Sequence, residues 1–176
     1  MTGPPPVLRR LDAAEAASRS GDLAALLIAC VEGGASVSFM APLARSRAET
    51  FWSEVAAGVG RGERLVLVAE DPAAGILGTV QVVLAQPENQ PHRGDLAKML
   101  VHPAARRRGL GAALMRAAET AALDAGKTLL VLDTASPEAE RLYAREGWIR
   151  VGRVPDYALL PDGRPCDTTF FYKRLV

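Results

Sequence analysis

The stretch Met99-Leu100-Val101-His102-Pro103-Ala104-Ala105-Arg106-Arg107-Arg108-Gly109-Leu110-Gly111-Ala112 leaves an apolar strand, passes a proline, and runs through three arginines into two glycines. A strong helical pattern follows, with Leu110, Leu114, Ala117 or Ala118, and Ala121 on one face. Glycine between a strand end and a helix start lets the backbone turn tightly and lets a ligand approach it. The first amides of the helix have no intrahelical acceptor, and the helix dipole adds partial positive charge there. That combination makes a cradle for phosphate groups. No Gly-Lys-Ser/Thr follows, so it is not a nucleotide P-loop, and the glycine spacing is not that of a dinucleotide fingerprint. The competing reading is a basic turn that happens to precede a helix.

The bulk of the chain argues against a nucleic-acid reading of the arginines. Its 176 residues suit a single domain over residues 1–176, large enough to fold without disulfide or metal. Net charge is only +1, and no aromatic residues interleave with the arginines to stack bases. Arginine is favoured chain-wide: of 21 basic residues, only Lys98, Lys127 and Lys173 are lysine. Cys30 and Cys166 stand in no metal-ligand spacing and read as plain thiols, which fits a reducing cytoplasmic setting. The start, MTGPPP, reads as a flexible tip rather than a signal peptide. No apolar run reaches the ~20 residues of a membrane span. Two histidines and no paired ligand motif argue against a metal enzyme.

Outward from the opening stretch, Val7 to Leu11 reads as a strand, and Asp12 caps one helix reaching about Val31. A second helix covers Ala44 to Ala57. Strands follow at Leu65 to Ala69 and Ile76 to Gln86, joined by a turn at Asp71-Pro72-Ala73-Ala74-Gly75. Asp95 to Val101 is the fourth strand. The helix Leu110 to Ala125 is closed by Gly126. Thr128 to Asp133 is the fifth strand, and Ser136-Pro137 opens a helix closed by Gly147. Trp148 to Val154 and Thr168 to Lys173 complete the set. The expected fold is α/β of the α+β kind: a mixed, mostly antiparallel sheet of about seven strands with about four flanking helices. A helix joins strands 4 and 5, so that pair is parallel with a right-handed crossover.

Placed after the strand Met99 to Val101, Arg106-x-x-Gly109-x-Gly111 resembles the acetyl-CoA signature of the GNAT superfamily of N-acetyltransferases. The order of elements is that family's, and Leu142-Tyr143-Ala144-Arg145-Glu146-Gly147-Trp148 resembles its Leu-Tyr-x-x-x-Gly-Phe segment. The resemblance implies that the coenzyme's pyrophosphate sits on Arg106, Arg107, Arg108, Gly109, Leu110, Gly111 and Ala112. It implies that the pantetheine arm lies along Met99, Leu100 and Val101 in a splay between strands 4 and 5, with Ser136 and Glu140 also on the coenzyme side. Tyr143 matches the tyrosine that protonates the departing thiolate; read from the residues alone, it is an amphipathic core tyrosine. The reaction implied is direct attack of an amine on the thioester, with a carboxylate collecting the amine's proton. Asp95 and Asp133 are the candidate bases. Asp133 follows Leu129-Leu130-Val131-Leu132 and is expected to be partly desolvated.

A finer resemblance is to the tabtoxin-resistance type of GNAT enzyme. It is carried by Cys30 to Met40, Lys98 to Pro103, Leu130 to Thr134, and Pro155-Asp156-Tyr157-Ala158 with Pro161-Asp162-Gly163. That group acetylates the amine of a β-lactam-containing amino-acid toxin. Asp95 stands where a Glu is expected, and the segment after Asp133 is shorter. The segment Gly33 to Met40 is expected over the acceptor pocket, Ser36 and Ser38 bonding substrate and Val37, Phe39 and Met40 lining it. The alternative is an interhelix loop packed on the core. Trp52, Asp156 and Tyr157 are further pocket candidates. The resemblance implies a small-molecule amine acceptor, no metal, no nucleic-acid or membrane partner, and a monomer or homodimer. Two rival functions stay open: a GNAT enzyme acting on a protein lysine or N-terminus, and a CoA-binding module without catalysis.

Overall fold

The computed structural model describes residues 6–176; the start, Met1 to Pro5, lies outside the described residues. One seven-stranded sheet runs in the order β1 (Val7–Leu11), β2 (Arg64–Asp71), β3 (Gly75–Val83), β4 (Arg93–Val101), β5 (Leu129–Thr134), β7 (Pro165–Arg174), β6 (Ile149–Leu159). β4 and β5 are parallel and every other neighbouring pair is antiparallel. Helices α1 (Ala13–Ser18), α2 (Ser20–Glu32) and α3 (Arg45–Gly60) cover one face. Helices α4 (Leu110–Asp124) and α5 (Pro137–Arg145) cover the other.

The expected mixed sheet is therefore present, with two corrections to the elements. The helix expected from Asp12 to Val31 is two helices, giving five α-helices among the described residues. Asp12 starts α1 with a reciprocal capping box with Glu15. The Ser18 hydroxyl then donates to the Glu15 carbonyl, and Arg19 leaves helical geometry while pairing with Asp22 (2.7 Å) and Glu70 (2.6 Å). A serine bonding back to the backbone competes with helix continuation. The second correction is β6, which continues past Val154 to Leu159. Pro155 to Tyr157 therefore lie in an irregular strand, not a loop.

Alternation along the strands builds two cores. Leu65, Leu67 and Ala69 of β2 face α4, while Val66 and Val68 face α2 and α3. Each fully buried leucine contributes about 1.5–3 kcal/mol relative to exposure. The α4 side is close-packed on β3. A Cβ added to Gly78 would lie 2.9 Å from Leu114 Cδ1 and 3.0 Å from the Leu100 carbonyl.

Two features open the sheet at its centre. β4 and β5 pair only at Arg93↔Leu129, Gly94↔Leu130 and Asp95↔Val131, whereas β5 pairs with β7 along its whole length. β4 also carries a bulge against β3, between the pairs Thr79↔Leu100 and Gln81↔Ala97, with Lys98 in left-handed geometry (φ 50°). A bulge twists its strand and breaks the ladder. From Leu96 onward, β4 leaves β5. This is the splay that the resemblance implies.

Candidate active site

The phosphate cradle stands at one end of this opening. A 3-10 turn, Pro103–Ala105, leads from β4 into the loop, with the His102 side chain accepting from the Ala104 amide. Arg107 (φ 61°) and Gly109 (φ 81°) are both left-handed. Gly109 is the N-cap of α4 and supplies no side-chain cap, and no atom lies within 4 Å of where its Cβ would be. The first amide to reach back along the helix is Ala113, to the Gly109 carbonyl at 3.1 Å. The amides before it are open to an external acceptor. Arg107 and Arg108 are exposed and form no ion pair among the described residues. This donor set fits an anionic diphosphate.

The three arginines do not act alike. Arg106 Nε turns back to the Val101 carbonyl at 3.4 Å, capping the end of β4. Gly111 has a second duty that its place in the loop hides: a Cβ there would meet Leu142 Cδ2 at 3.0 Å, so α4 and α5 touch at this point. Ser136 is spent as the N-cap of α5, accepting from Ala139 N–H at 3.2 Å. Glu140 accepts from the Thr169 hydroxyl at 3.0 Å and lies 3.8 Å from Arg150. It is two residues from Leu142, so it points toward β6 and β7 rather than at α4.

Tyr143 lies on α5, 4 % exposed, edge-on to Phe171 (5.7 Å) and beside Trp148 (6.1 Å). Burial raises its pKa, and the nearby Asp133 carboxylate raises it further, so the phenol stays protonated through neutral pH.

Across the opening, Leu130 and Leu132 face the α4 core, so Asp133 faces the α2–α3 side. Its carboxylate accepts from the Thr168 hydroxyl at 2.9 Å. Asp133 is exposed, not desolvated as its apolar run suggested, because the splay removes the strand that would have covered it. Opposite it on β7 stands Phe170, against which Tyr157 packs at 90° and 5.6 Å. Asp95 lies where β4 and β5 are still paired. Arg93 forms an ion pair with its carboxylate, and Gln86 Nε2 donates to it at 3.1 Å.

The facing wall comes from β4, α3 and the Gly33–Met40 segment. Lys98 Nζ donates to Ser38 Oγ at 3.2 Å and lies 5.7 Å from the centre of the Phe51 ring. Phe39 packs edge-on to Phe51 at 5.3 Å, with Arg47 above it at 5.7 Å. The segment reaches the β6–β7 hairpin: the Ser36 hydroxyl donates to the Leu159 carbonyl (3.0 Å), and the Ala41 amide to the Pro161 carbonyl (3.0 Å). Ser36 therefore ties the segment to that hairpin, while Val37 and Phe39 pack on the α2–α3 core. Trp52, expected in the pocket, is 0 % exposed within the α2–α3 core and cannot touch a substrate. Asp156 is exposed, its backbone (φ 51°) held by the Asp167 carboxylate at 2.9 Å. A 340 Å³ cavity lies beside α5, lined by Glu140, Arg153, Cys166, Asp167 and Thr169. The opening between β4 and β5 is the stronger candidate, because Asp133 borders it and Tyr143 is close enough to Asp133 to feel its charge.

Lys98, Phe51 and Phe170 were not singled out from sequence as site residues. Lys98 had one usable signal, one of only three lysines in a chain that otherwise uses arginine. Phe51 and Phe170 carry no local signal beyond lying in an expected helix and an expected strand. No group of three or more His, Cys, Asp or Glu that could hold a metal ion occurs among the described residues, nor a helix long and apolar enough to cross a membrane.

Comparison with known proteins agrees with this architecture. The family model described as "Acetyltransferase (GNAT) domain" matches residues 62–150. That span runs from β2 through the cradle and Tyr143. Among solved structures, yncA from Salmonella typhimurium, with its cofactor acetyl-CoA, superposes with TM-score 0.78 at 20 % identity, covering 97 % of this chain and 94 % of that one. A phosphinothricin acetyltransferase from Sinorhizobium meliloti in complex with AcCoA gives 0.77 at 19 %, covering 98 % and 89 %. A ribosomal-protein-alanine N-acetyltransferase from Brucella melitensis gives 0.76 at 20 %, covering 96 % and 99 %. The fold is thus shared by structures whose names point to small-molecule and protein acceptors alike.

Proposed function

The chain belongs to the GNAT acetyltransferase domain family, and on that premise we propose that it transfers the acetyl group of acetyl-CoA to the amine of a small, amino-acid-like molecule. The observation that supports the reading is the α4 N-terminus, its first amides bare behind the left-handed Gly109, following directly on the strand β4 that parts from β5; the protonated Tyr143 and the exposed Asp133 are consistent with it. The resemblance of Cys30 to Met40 and of Pro155 to Gly163 to the tabtoxin-resistance type favours an antimicrobial amino-acid analogue as acceptor, and so a role in detoxification.

Acetyl-CoA supplies an activated thioester. The amides from Arg107 to Ala112 and the side chains of Arg107 and Arg108 hold its diphosphate. The stretch of β4 from Leu96 to Val101, paired with β3 but free of β5, offers backbone partners to its arm on the open edge. Holding donor and acceptor in one cleft removes several kcal/mol of the barrier. Asp133 takes a proton from the acceptor's ammonium, directly or through water, leaving the neutral amine that attacks the thioester carbonyl. Tyr143 donates its phenolic hydrogen to the departing sulfur, and the second proton of the attacking nitrogen, released as the amide forms, restores the phenol. Asp133 is the better placed base, since Asp95 is already paired with Arg93 and lies where the strands are closed.

The test is thiol release from acetyl-CoA against a panel of amino-acid-like amines with a peptide set beside it. Saturable release with the free amines bears the reading out. Release with peptides alone transfers the assignment to a protein acetyltransferase. Stabilisation by CoA without release on any amine assigns a binding module.

A further inference from the structure

The wall of the cleft facing Asp133 carries a cation without a counter-charge. Of the three lysines, Lys173 pairs with Glu119 (2.7 Å) and Lys127 donates to the Leu84 and Pro91 carbonyls (2.9 and 2.7 Å). Lys98 alone has neither; its partners are the Ser38 hydroxyl and the Phe51 ring face, and it forms no ion pair among the described residues. It is held there at the cost of a left-handed backbone, and Ser38 is left-handed too (φ 76°). Non-glycine residues in that region are strained, and such strain gathers at functional sites.

The surroundings add positive charge. The Arg64 guanidinium donates to Gln81 Oε1 at 3.0 Å, and Gln81 is 1 % exposed, opposite Ala97 on the sheet. Burial lowers the Lys98 pKa, the Asp133 carboxylate counteracts this, and Arg64 lowers it further. Two cations thus face one carboxylate, and Asp95 is neutralised by Arg93. Beyond the last paired residues, Asp95↔Val131, the register sets Lys98 and Asp133 on opposite banks of the opening. A partly buried cation is stabilised by a paired anion.

We propose that Lys98, with Ser38, is a specificity-determining residue that binds the carboxylate of a free amino-acid acceptor whose amine lies toward Asp133. This rests on the small-amine reading above. The cleft then matches a zwitterion, negative bank to ammonium and positive bank to carboxylate. A protein lysine or peptide N-terminus has no α-carboxylate beside its amine and leaves Lys98 unpaired.

The experiment measures kcat/KM by thiol release for free L-amino acids, each beside its methyl ester, in the wild type and in Lys98→Met and Lys98→Arg. Expected is a preference for acid over ester of about 10- to 100-fold, the size of a lost charge-assisted hydrogen bond, collapsing toward unity in Lys98→Met and kept in Lys98→Arg. Stabilisation of each variant by acetyl-CoA confirms that it is folded. Wild type that acetylates ester as well as acid, or Lys98→Met that keeps the preference, overturns this inference while leaving the small-amine reading intact. Turnover of peptides alone overturns both.

Discussion

Asp133 and Tyr143 belong to opposite faces of the sheet, and the Asp133 carboxylate adds to burial in keeping the Tyr143 phenol protonated. A group that must be without its proton to work as a base and a group that must keep its proton to work as a donor are thereby coupled.

Replacing Tyr143 with Phe removes the donor and leaves the ring packed on Phe171 and Trp148. Turnover is expected to fall roughly 10²-fold, with acetyl-CoA affinity little changed. Single-turnover thiol release checks this; unchanged chemistry would remove Tyr143 from the reaction.

Asp133→Asn and Asp95→Asn separate the two carboxylates. Asp133→Asn is expected to lower kcat/KM by about 10²–10⁴-fold and to abolish the acid limb of the pH–rate profile. Asp95→Asn loses the pair with Arg93 and is expected to keep that limb. The reverse outcome would make Asp95 the base.

The pH dependence of Tyr143 has a definite sign. Its folded-state pKa lies above the ordinary value of 10.0, so its contribution to stability is full below pH 10.0 and is lost as pH rises through the folded-state value. The tyrosinate absorbance that Tyr143→Phe deletes should therefore appear only well above pH 10.0. In Asp133→Asn it should appear at lower pH, because one of the two causes has gone.

Gly109 tests the cradle by its backbone alone. Gly109→Ala meets no neighbour, but the left-handed geometry (φ 81°) costs roughly 1–2 kcal/mol. The expected result is a lower melting temperature and weaker stabilisation by acetyl-CoA. An unchanged affinity for acetyl-CoA would separate Gly109 from the diphosphate site.

Much of this was legible in the residues. Asp12, Ser136, Gly126 and Gly147 punctuate helices by local chemistry that needs no tertiary context, and each stands where that chemistry put it. The cradle was legible for the same reason, since a left-handed glycine before a helix acts through its own backbone. Trp52 was misplaced because an aromatic at helical spacing reads alike whether its face meets a pocket or a core. Asp133 was read as partly desolvated from its four apolar neighbours, although only the missing β4 ladder decides its exposure.

The sequence by itself determined the order of elements, the parallel pairing of β4 with β5 through a helical crossover, and the left-handed glycine that opens α4 with its first amides free. These follow from local periodicity, capping and turn chemistry. Only the tertiary structure decided that Lys98 and Asp133 face each other across an opening, that Ser36 ties its segment to the β6–β7 hairpin, and that Gly111 seats α5 against α4. Those relations depend on strand register, on a bulge at Lys98, and on contacts such as Gly111 with Leu142 and Ser36 with Leu159 between residues far apart in the chain. Nothing in the local sequence encodes them; on β4 and β5, a one-residue change of register would turn Lys98 or Asp133 to the opposite face.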